Sequence, residues 1–455
     1  MKTLHRPTLS LAAAALLATS LQAASLEGGD DPAADWPGWR GPTGDGVVSA
    51  GDVPLRWSDE ENVRWKVELG MPANGSPTVR GDRIFLTTPE DAAGLGRTLE
   101  CYSREDGRKL WSRTVEIDRE MPTHETNPYC GTTPAVAEDR VVVWHASAGL
   151  HCYDLDGEPL WSRDLGEFRH IWGYGTSPVL HGGRVYLNTG PGARTFMTAL
   201  DLESGETLWE TEEPDVRTEE ELEARRIAGS WCTPIIVERD GRSLLVCGQP
   251  TRVVAYDLDS GSIVWTCDGI RGTRGNLTYS SPVVAGDTCV FVGGWQGPTL
   301  GVRLGALGGD PLKGDTAEGD AERGDAQASR QAWRHAEQMS NCASGAYMNG
   351  RIFVPDMRGI LWCIDPATGL PDWKERVARG GTWGSIVSVG DRMYLLGQSG
   401  TTVVFKADAE GLEVLAENVI DERTNSTLAV AGGEIFLRTH EHLYCIAAPP
   451  AESQR

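Results

Sequence analysis

One phrase recurs along this chain. ALDLESGETLW at 199 returns as CYSREDGRKLW at 101, CYDLDGEPLW at 152 and AYDLDSGSIVW at 255. A repeat constrains the fold more than any other feature here. A unit of short strands cannot bury both of its faces alone and must stack on its own copies.

The phrase is the second half of a longer unit. The first half is a Ser/Thr-Pro opening, an apolar run, a tight turn and a second apolar run, as in TSPVLHGGRVYLN at 176. Clear copies begin at 75, 132, 232 and 280, and degenerate ones at 343, 384 and 425, which makes eight. Each unit therefore predicts four short strands. The first turn carries Gly, Asp or Asn, residues that tolerate positive φ and close two-residue hairpins. Proline opens the first strand in five units. It cannot donate to a ladder, so it belongs at a strand start or on an edge.

These units predict an all-β fold, an eight-bladed β-propeller of four-stranded antiparallel blades over residues 62–447. The eighth unit lacks its last strand, and NVRWKVEL at 62–69 lies ahead of the first full unit. The N-terminal strand is thus expected to complete the last blade and close the ring. Trp65, Trp111, Trp161, Trp209, Trp265, Trp333 and Trp373 hold the slot at which one blade docks on the next, with Leu415 in the seventh unit. Burying each indole removes on the order of 200 Å² from water, roughly 5 kcal/mol before entropy is counted.

Segments outside the repeat divide the rest. Residues 1–23 read as an export signal, with Lys2, His5 and Arg6 ahead of a short apolar core. That core is too short to span a bilayer, and no other stretch reaches 18 uninterrupted apolar residues. The mature chain is therefore expected to be soluble, exported to the periplasm or beyond, and monomeric. Residues 24–61, with DWPGWRGPTGDGVV, form an arm expected to strap across the ring. The Gly- and Asp-rich stretch 305–331 reads as a disordered insertion in the fifth unit. RTEEELEARR at 217–226 reads as a short charged helix, and 448–455 as a tail.

Net charge is −23, which repels phosphate backbones and makes nucleic acid a poor partner. Ten cysteines in an exported chain suggest disulfides. Their positions suggest packing instead: Cys101, Cys152, Cys363 and Cys445 share one repeat slot, and Cys232, Cys247 and Cys289 sit in apolar runs. No CxxC occurs.

Loops joining one unit to the next gather at one face of such a ring. They carry His124, Glu125, Asn127, His170, Trp172, Tyr174, Trp231, Asn276, Tyr279, Asn341 and Trp383. Aromatic and amide groups around a funnel suit a flat or polar ligand. No catalytic set is recognisable. HETNP at 124 is not HExxH, and His145 with His151 lacks a carboxylate for a metal. No metal ligands are assigned.

The repeat, the WPGWRGPTGDG arm, HETNPYCGTTP at 124, WGYGTSP at 172, SWCTP at 230 and EHLYCI at 441 carry a specific likeness. The chain resembles the exported bacterial PQQ-like eight-bladed propellers, a group that includes the BamB outer-membrane assembly factor and quinoprotein alcohol dehydrogenases. The resemblance implies two functions. The first is a non-enzymatic binding or scaffold module of the envelope, with a protein, peptide or glycan ligand and no cofactor. The alternative is a dehydrogenase of alcohols or sugars using pyrroloquinoline quinone and calcium. That activity implies a Trp floor, adjacent cysteines in the alcohol enzymes, metal-binding carboxylates and a basic Asp. The chain has no adjacent cysteine pair. Trp231, Trp295 and Trp383 are its candidates for a floor.

Overall fold

The hairpin turns show why the units fold as they do. In the third unit His181 faces Arg184 across Gly182 and Gly183, whose φ values are 56° and 74°. Both central residues of this two-residue turn need positive φ, which glycine adopts without a Cβ penalty. Val179–His181, Arg184–Asn188, Phe196–Asp201 and Thr207–Glu212 then pair in sequence order as one antiparallel sheet.

This is a computed structural model describing residues 34–48, 51–192, 194–214, 227–239, 241–305 and 330–448. The expected signal, most of the 305–331 insertion, the 217–226 helix and nearly all of the tail lie outside those residues. Eight such sheets make an eight-bladed propeller. Blades 1 to 8 begin with the strands at Thr78, Ala135, Val179, Ile235, Val283, Ala346, Val387 and Ala429. Blade 8 is completed by Val63–Glu68, with Trp65 opposite Cys445 and Lys66 opposite Tyr444. The ring closes as the repeat count predicts. No helix among the described residues is long and apolar enough to cross a membrane.

A bulge recurs between the third and outer strands and sets the docking tryptophan. In blade 3 the register shifts between Ala199 and Leu200, with Trp209 opposite Ala199. Its indole Nε1 donates to Leu258 O of blade 4 at 3.0 Å. Trp65, Trp111, Trp161, Trp333 and Trp373 make the same bond to Arg104, Leu155, Leu202, Pro366 and Asp408. Trp265 is the exception: its N–H is buried and has no partner among the described residues. Its neighbour is blade 5, where the 305–331 insertion stands in place of the tight turn.

The residue facing each docking indole must be small. Cys101 faces Trp111, Cys152 faces Trp161, Cys363 faces Trp373 and Cys445 faces Trp65. Ala199, Ala255 and Gly301 serve the other three. All ten cysteines are unpaired. In blade 7 the slot belongs to Ala416, opposite Val404, and not to Leu415, which is the residue skipped at the bulge. The arm fills the space instead. Trp57 joins the same buried cluster as Ala416 and stacks on Tyr394, with centroids 6.4 Å apart at 12°.

The Ser/Thr that opens each unit has a structural task. Ser76 N–H donates to Thr133 Oγ1 at 3.1 Å, Thr133 N–H to Ser177 Oγ at 3.0 Å, and Ser177 N–H to Thr233 Oγ1 at 3.1 Å. The series resumes from Ser281 to Ser344, Ser385, Thr427 and back to Ser76 at 2.9 Å per step. This belt links all eight blades around the channel. It explains why the degenerate units drop the proline but keep the hydroxyl.

The step from blade 4 to blade 5 differs. There Ser281 Oγ donates to Thr233 O and accepts the indole N–H of Trp39, both at 2.9 Å. Trp39 comes from the arm, which runs inside the ring. Trp36 exchanges backbone bonds with Val79, and Val136 N–H donates to Pro37 O. Arg40 Nη2 donates to Gly345 O at 2.6 Å, and Val47–Val48 pairs in parallel with Ser388–Val389. These bonds tie the arm, inside the ring, to blades 1, 2, 5, 6 and 7.

Candidate functional site

A single column of the repeat builds the site. The position three residues ahead of the first-strand Pro, or of its equivalent, holds Trp231, Tyr279, Cys342 and Trp383 in blades 4 to 7. In blades 8, 1, 2 and 3 it holds Asn425, Asn74, Gly131 and Gly175. All eight line one cup of about 440 Å³ at the axis. The belt lies two residues further along each chain, so the cup opens on the loop side of it.

The arm's partners Val79, Val136 and Ser388 all follow the belt residue of their strand, so the arm lies on the opposite side. Among the described arm residues only Trp39 bonds to a belt hydroxyl, and it forms the floor of the cup.

One half of the cup is aromatic. Trp231 and Tyr279 have ring centroids 5.3 Å apart, and Trp172 lies 6.2 Å from Trp231, 6.3 Å from Tyr279 and 6.0 Å from Trp295. A two-stranded parallel ladder, Ala228–Ser230 with Asn276–Thr278, holds the backbone of Trp231 and Tyr279. Trp231 N–H donates to Thr278 O at 2.7 Å, and its indole N–H to Gly173 O at 3.1 Å. Burial raises the Tyr279 hydroxyl well above the ordinary phenol range.

The other half is a braced amide wall. Asn74 Nδ2 donates to Thr126 O at 3.0 Å and to Asn127 Oδ1 at 3.1 Å. Asn127 Nδ2 donates to the carbonyls of Trp172 and Tyr174, and Asn425 Nδ2 to Thr126 O at 2.9 Å. Behind the wall His440 Nε2 lies 3.2 Å from Asn74 Oδ1. Burial first, then the charges of Arg438 and Arg423, depress its pKa to about 4, so the imidazole is neutral near pH 7.

The residues expected at the loop face separate into two groups. His124, Asn127, Trp172, Trp231, Tyr279 and Trp383 line the cup. Glu125 is exposed and outside the lining. His170 packs edge-on behind Trp231, with centroids 4.8 Å apart. Tyr174 is buried between blades, where its hydroxyl accepts the Cys130 N–H at 3.3 Å. Asn276 and Asn341 are buried outside the lining. The sequence reading missed Trp39, Asn74, Cys342, Met357 and Asn425. Aligning the units on the belt hydroxyl and reading the position two residues earlier finds three of these five.

The chemistry open to the cup is limited by its groups. No lining residue is Asp, Glu, Lys or Arg. The one thiol, Cys342, is pushed up to about 12 by burial and is no thiolate nucleophile at neutral pH. Calcium takes several oxygen ligands, chiefly carboxylates, and a quinone held through it needs them here. The cup does not fit that pair. Among the described residues, Glu422, Glu441 and His442 bring ligand atoms within 4.8 Å of one another, but outside the lining. Glu422 already accepts from Thr439, Tyr444 and Lys66.

Comparison with known proteins agrees with this architecture. The family model PQQ_2, described as outer membrane protein assembly factor BamB, matches residues 44–128 and 95–375. BamB of Shewanella oneidensis is 23% identical over 330 residues, 72% of this chain and 69% of that protein. A polyvinylalcohol dehydrogenase of Sphingopyxis sp. is 22% identical over 276 residues, 51% of this chain and 39% of that protein.

Among solved structures, BamB from Moraxella catarrhalis superposes with a TM-score of 0.56 at 14% identity, covering 84% of this chain and 98% of that one. A europium-containing methanol dehydrogenase gives 0.62 at 11%, covering 89% of each. Likeness at such identities shows the fold alone. The family match spans well over half of the sequence, and on that ground the chain belongs to the PQQ_2 family, described as outer membrane protein assembly factor BamB.

Proposed function

We propose that this chain is an exported envelope propeller that works by binding a ligand at the cup on its loop face, without catalysing a reaction. The observation that carries the reading is the cup itself. It is aromatic on one half and amide on the other, and its lining holds no Asp, Glu, Lys or Arg. Preorganised walls of this kind suit recognition. A carboxylate metal set or an activated nucleophile would need groups that the lining lacks, and its one imidazole, His124, is paired with Thr126 Oγ1 and not with an orienting carboxylate. The relatives named for outer-membrane protein assembly support a place in the envelope. So does the export signal read at 1–23.

The dehydrogenase reading has the polyvinylalcohol dehydrogenases and the methanol dehydrogenase in its favour, as relatives and as a shared fold. The residues of the cup count against it.

The test compares the intact protein with the Trp172→Ala/Trp383→Ala double variant, immobilised and exposed to fractionated envelope extract. Material retained by the first and lost by the second, with the variant's melting temperature little changed, is the expected result. Equal retention by both would remove the cup as the binding site. Dye reduction on adding pyrroloquinoline quinone, calcium and an alcohol would replace this reading with the dehydrogenase.

A further inference from the structure

We propose that the cup takes an uncharged pyranose saccharide, a deepening that rests on the cup being a binding site. The size of the site argues for a small ligand. At about 440 Å³ it falls in the range of small-molecule pockets. A standard protein partner would instead need roughly 800 Å² of surface.

The division of the walls argues for the class. A pyranose has C–H faces and a rim of hydroxyls, so it is apolar in one direction and polar in the other. Trp172, Trp231, Trp295 and Trp383 offer flat faces for the first. The amide wall meets the second. Its carboxamides are already held, Asn74 by Asn127 and the Thr126 carbonyl and Asn425 by that same carbonyl and Gln398, so they need no reordering on binding. Each amide oxygen can still accept a further bond, and Asn425 Nδ2 keeps a second N–H. The indole N–H groups of Trp172, Trp295 and Trp383 have no hydrogen-bond partner among the described residues and add donors at the aromatic side.

Charge argues against the alternatives. A carboxylate, phosphate or ammonium group would be buried in the cup without a counter-ion, which is costly. Arg274 lies 5.4 Å from the Trp295 ring centroid but is not part of the lining. The net charge of −23 further disfavours anions. Trp39 closes the cup toward the arm, so a glycan would present its end and would not thread the ring.

The experiment titrates the full chain with cellotriose, maltotriose and chitotriose, read by tryptophan emission and calorimetry. A saturable shift with at least one sugar is expected. Its affinity should hold between roughly 0.05 and 0.5 M salt, because neither side is charged. Trp383→Ala should weaken it by about tenfold or more, as loss of a packed aromatic anchor does. Leu160→Ala, on the exposed outer strand of blade 2, should leave it unchanged.

Menadione, a neutral flat quinone, separates the two levels of the argument. Response to menadione with none to any sugar overturns the saccharide class and leaves the cup as a binding site. Response to neither overturns both.

Discussion

The smallest unit of this architecture is an indole resting on a glycine. Gly205 has φ 69°, and a β-carbon there would stand 2.5 Å from Cδ2 of Trp161 in the preceding blade. Two costs therefore meet at one residue: a left-handed backbone and an overpacked joint. Gly182 separates them, since its φ is 56° but a β-carbon there would meet nothing within 4 Å. Gly182→Ala is expected to cost about 1 kcal/mol, the strain alone. Gly205→Ala is expected to cost about 2–4 kcal/mol, strain plus overpacking. Thermal denaturation of the two variants checks this. Equal losses would show that the joint relaxes freely. The same crowding accounts for the cysteines, which face indoles where the repeat elsewhere has Ala or Gly.

At the scale of elements, the loop from blade 7 to blade 8 carries a polar latch onto the closing strand. Glu422, whose side chain is 11% exposed, accepts Lys66 from the closing strand at 3.1 Å, Tyr444 at 2.6 Å and Thr439 at 2.6 Å. His442 Nδ1 lies 2.9 Å away. Burial alone would raise this carboxyl. The hydrogen bonds overcome burial and hold its pKa at about 2, against 4.5 for an ordinary Glu. The folded value is depressed, so the latch stabilises the ring fully above pH 4.5 and loses that contribution as pH falls toward 2. Melting temperatures between pH 6 and 2 should therefore decline, and Glu422→Gln should decline less over the 4.5-to-2 window. Parallel curves for the two proteins would show that the latch does not hold the closing strand.

The blades were readable because each repeats its turn residues, its apolar runs and its Trp. The latch was not, since Lys66 lies 356 residues from Glu422 and no repeat position marks the pair. The cup lay in between. Its aromatic members stood out by type, while Asn74, Cys342 and Asn425 emerge only when the units are aligned. Trp39 belongs to the arm, has no repeat partner, and could be placed only by structure.

At the scale of the whole molecule, the ring is one continuous belt of hydrogen bonds with one non-covalent joint in the chain. Seven steps of the belt run N–H to hydroxyl, and in the eighth Ser281 Oγ donates to Thr233 O while accepting from Trp39. The arm thus braces the belt at Ser281 and supplies the floor of the cup, which ties placement of the N-terminal segment to formation of the site. The joint itself is Val63–Glu68 on His442–Ile446, strands from opposite ends of the repeat array. Bringing them together confines nearly the entire chain, so a covalent staple there should act mainly on the unfolded ensemble.

Glu68 and His442 are paired across this joint. Cysteines at both positions would close a loop worth roughly 6 kcal/mol in the chain-entropy model. A matching pair at Lys406 and Glu413, opposite each other within blade 7, would close a short loop worth roughly 2–3 kcal/mol. The first staple is therefore expected to raise the melting temperature more than the second, and reduction should abolish both gains. If the two staples gave the same gain, the joint would not limit unfolding. The wheel would then lose blades from some other edge before its ends part.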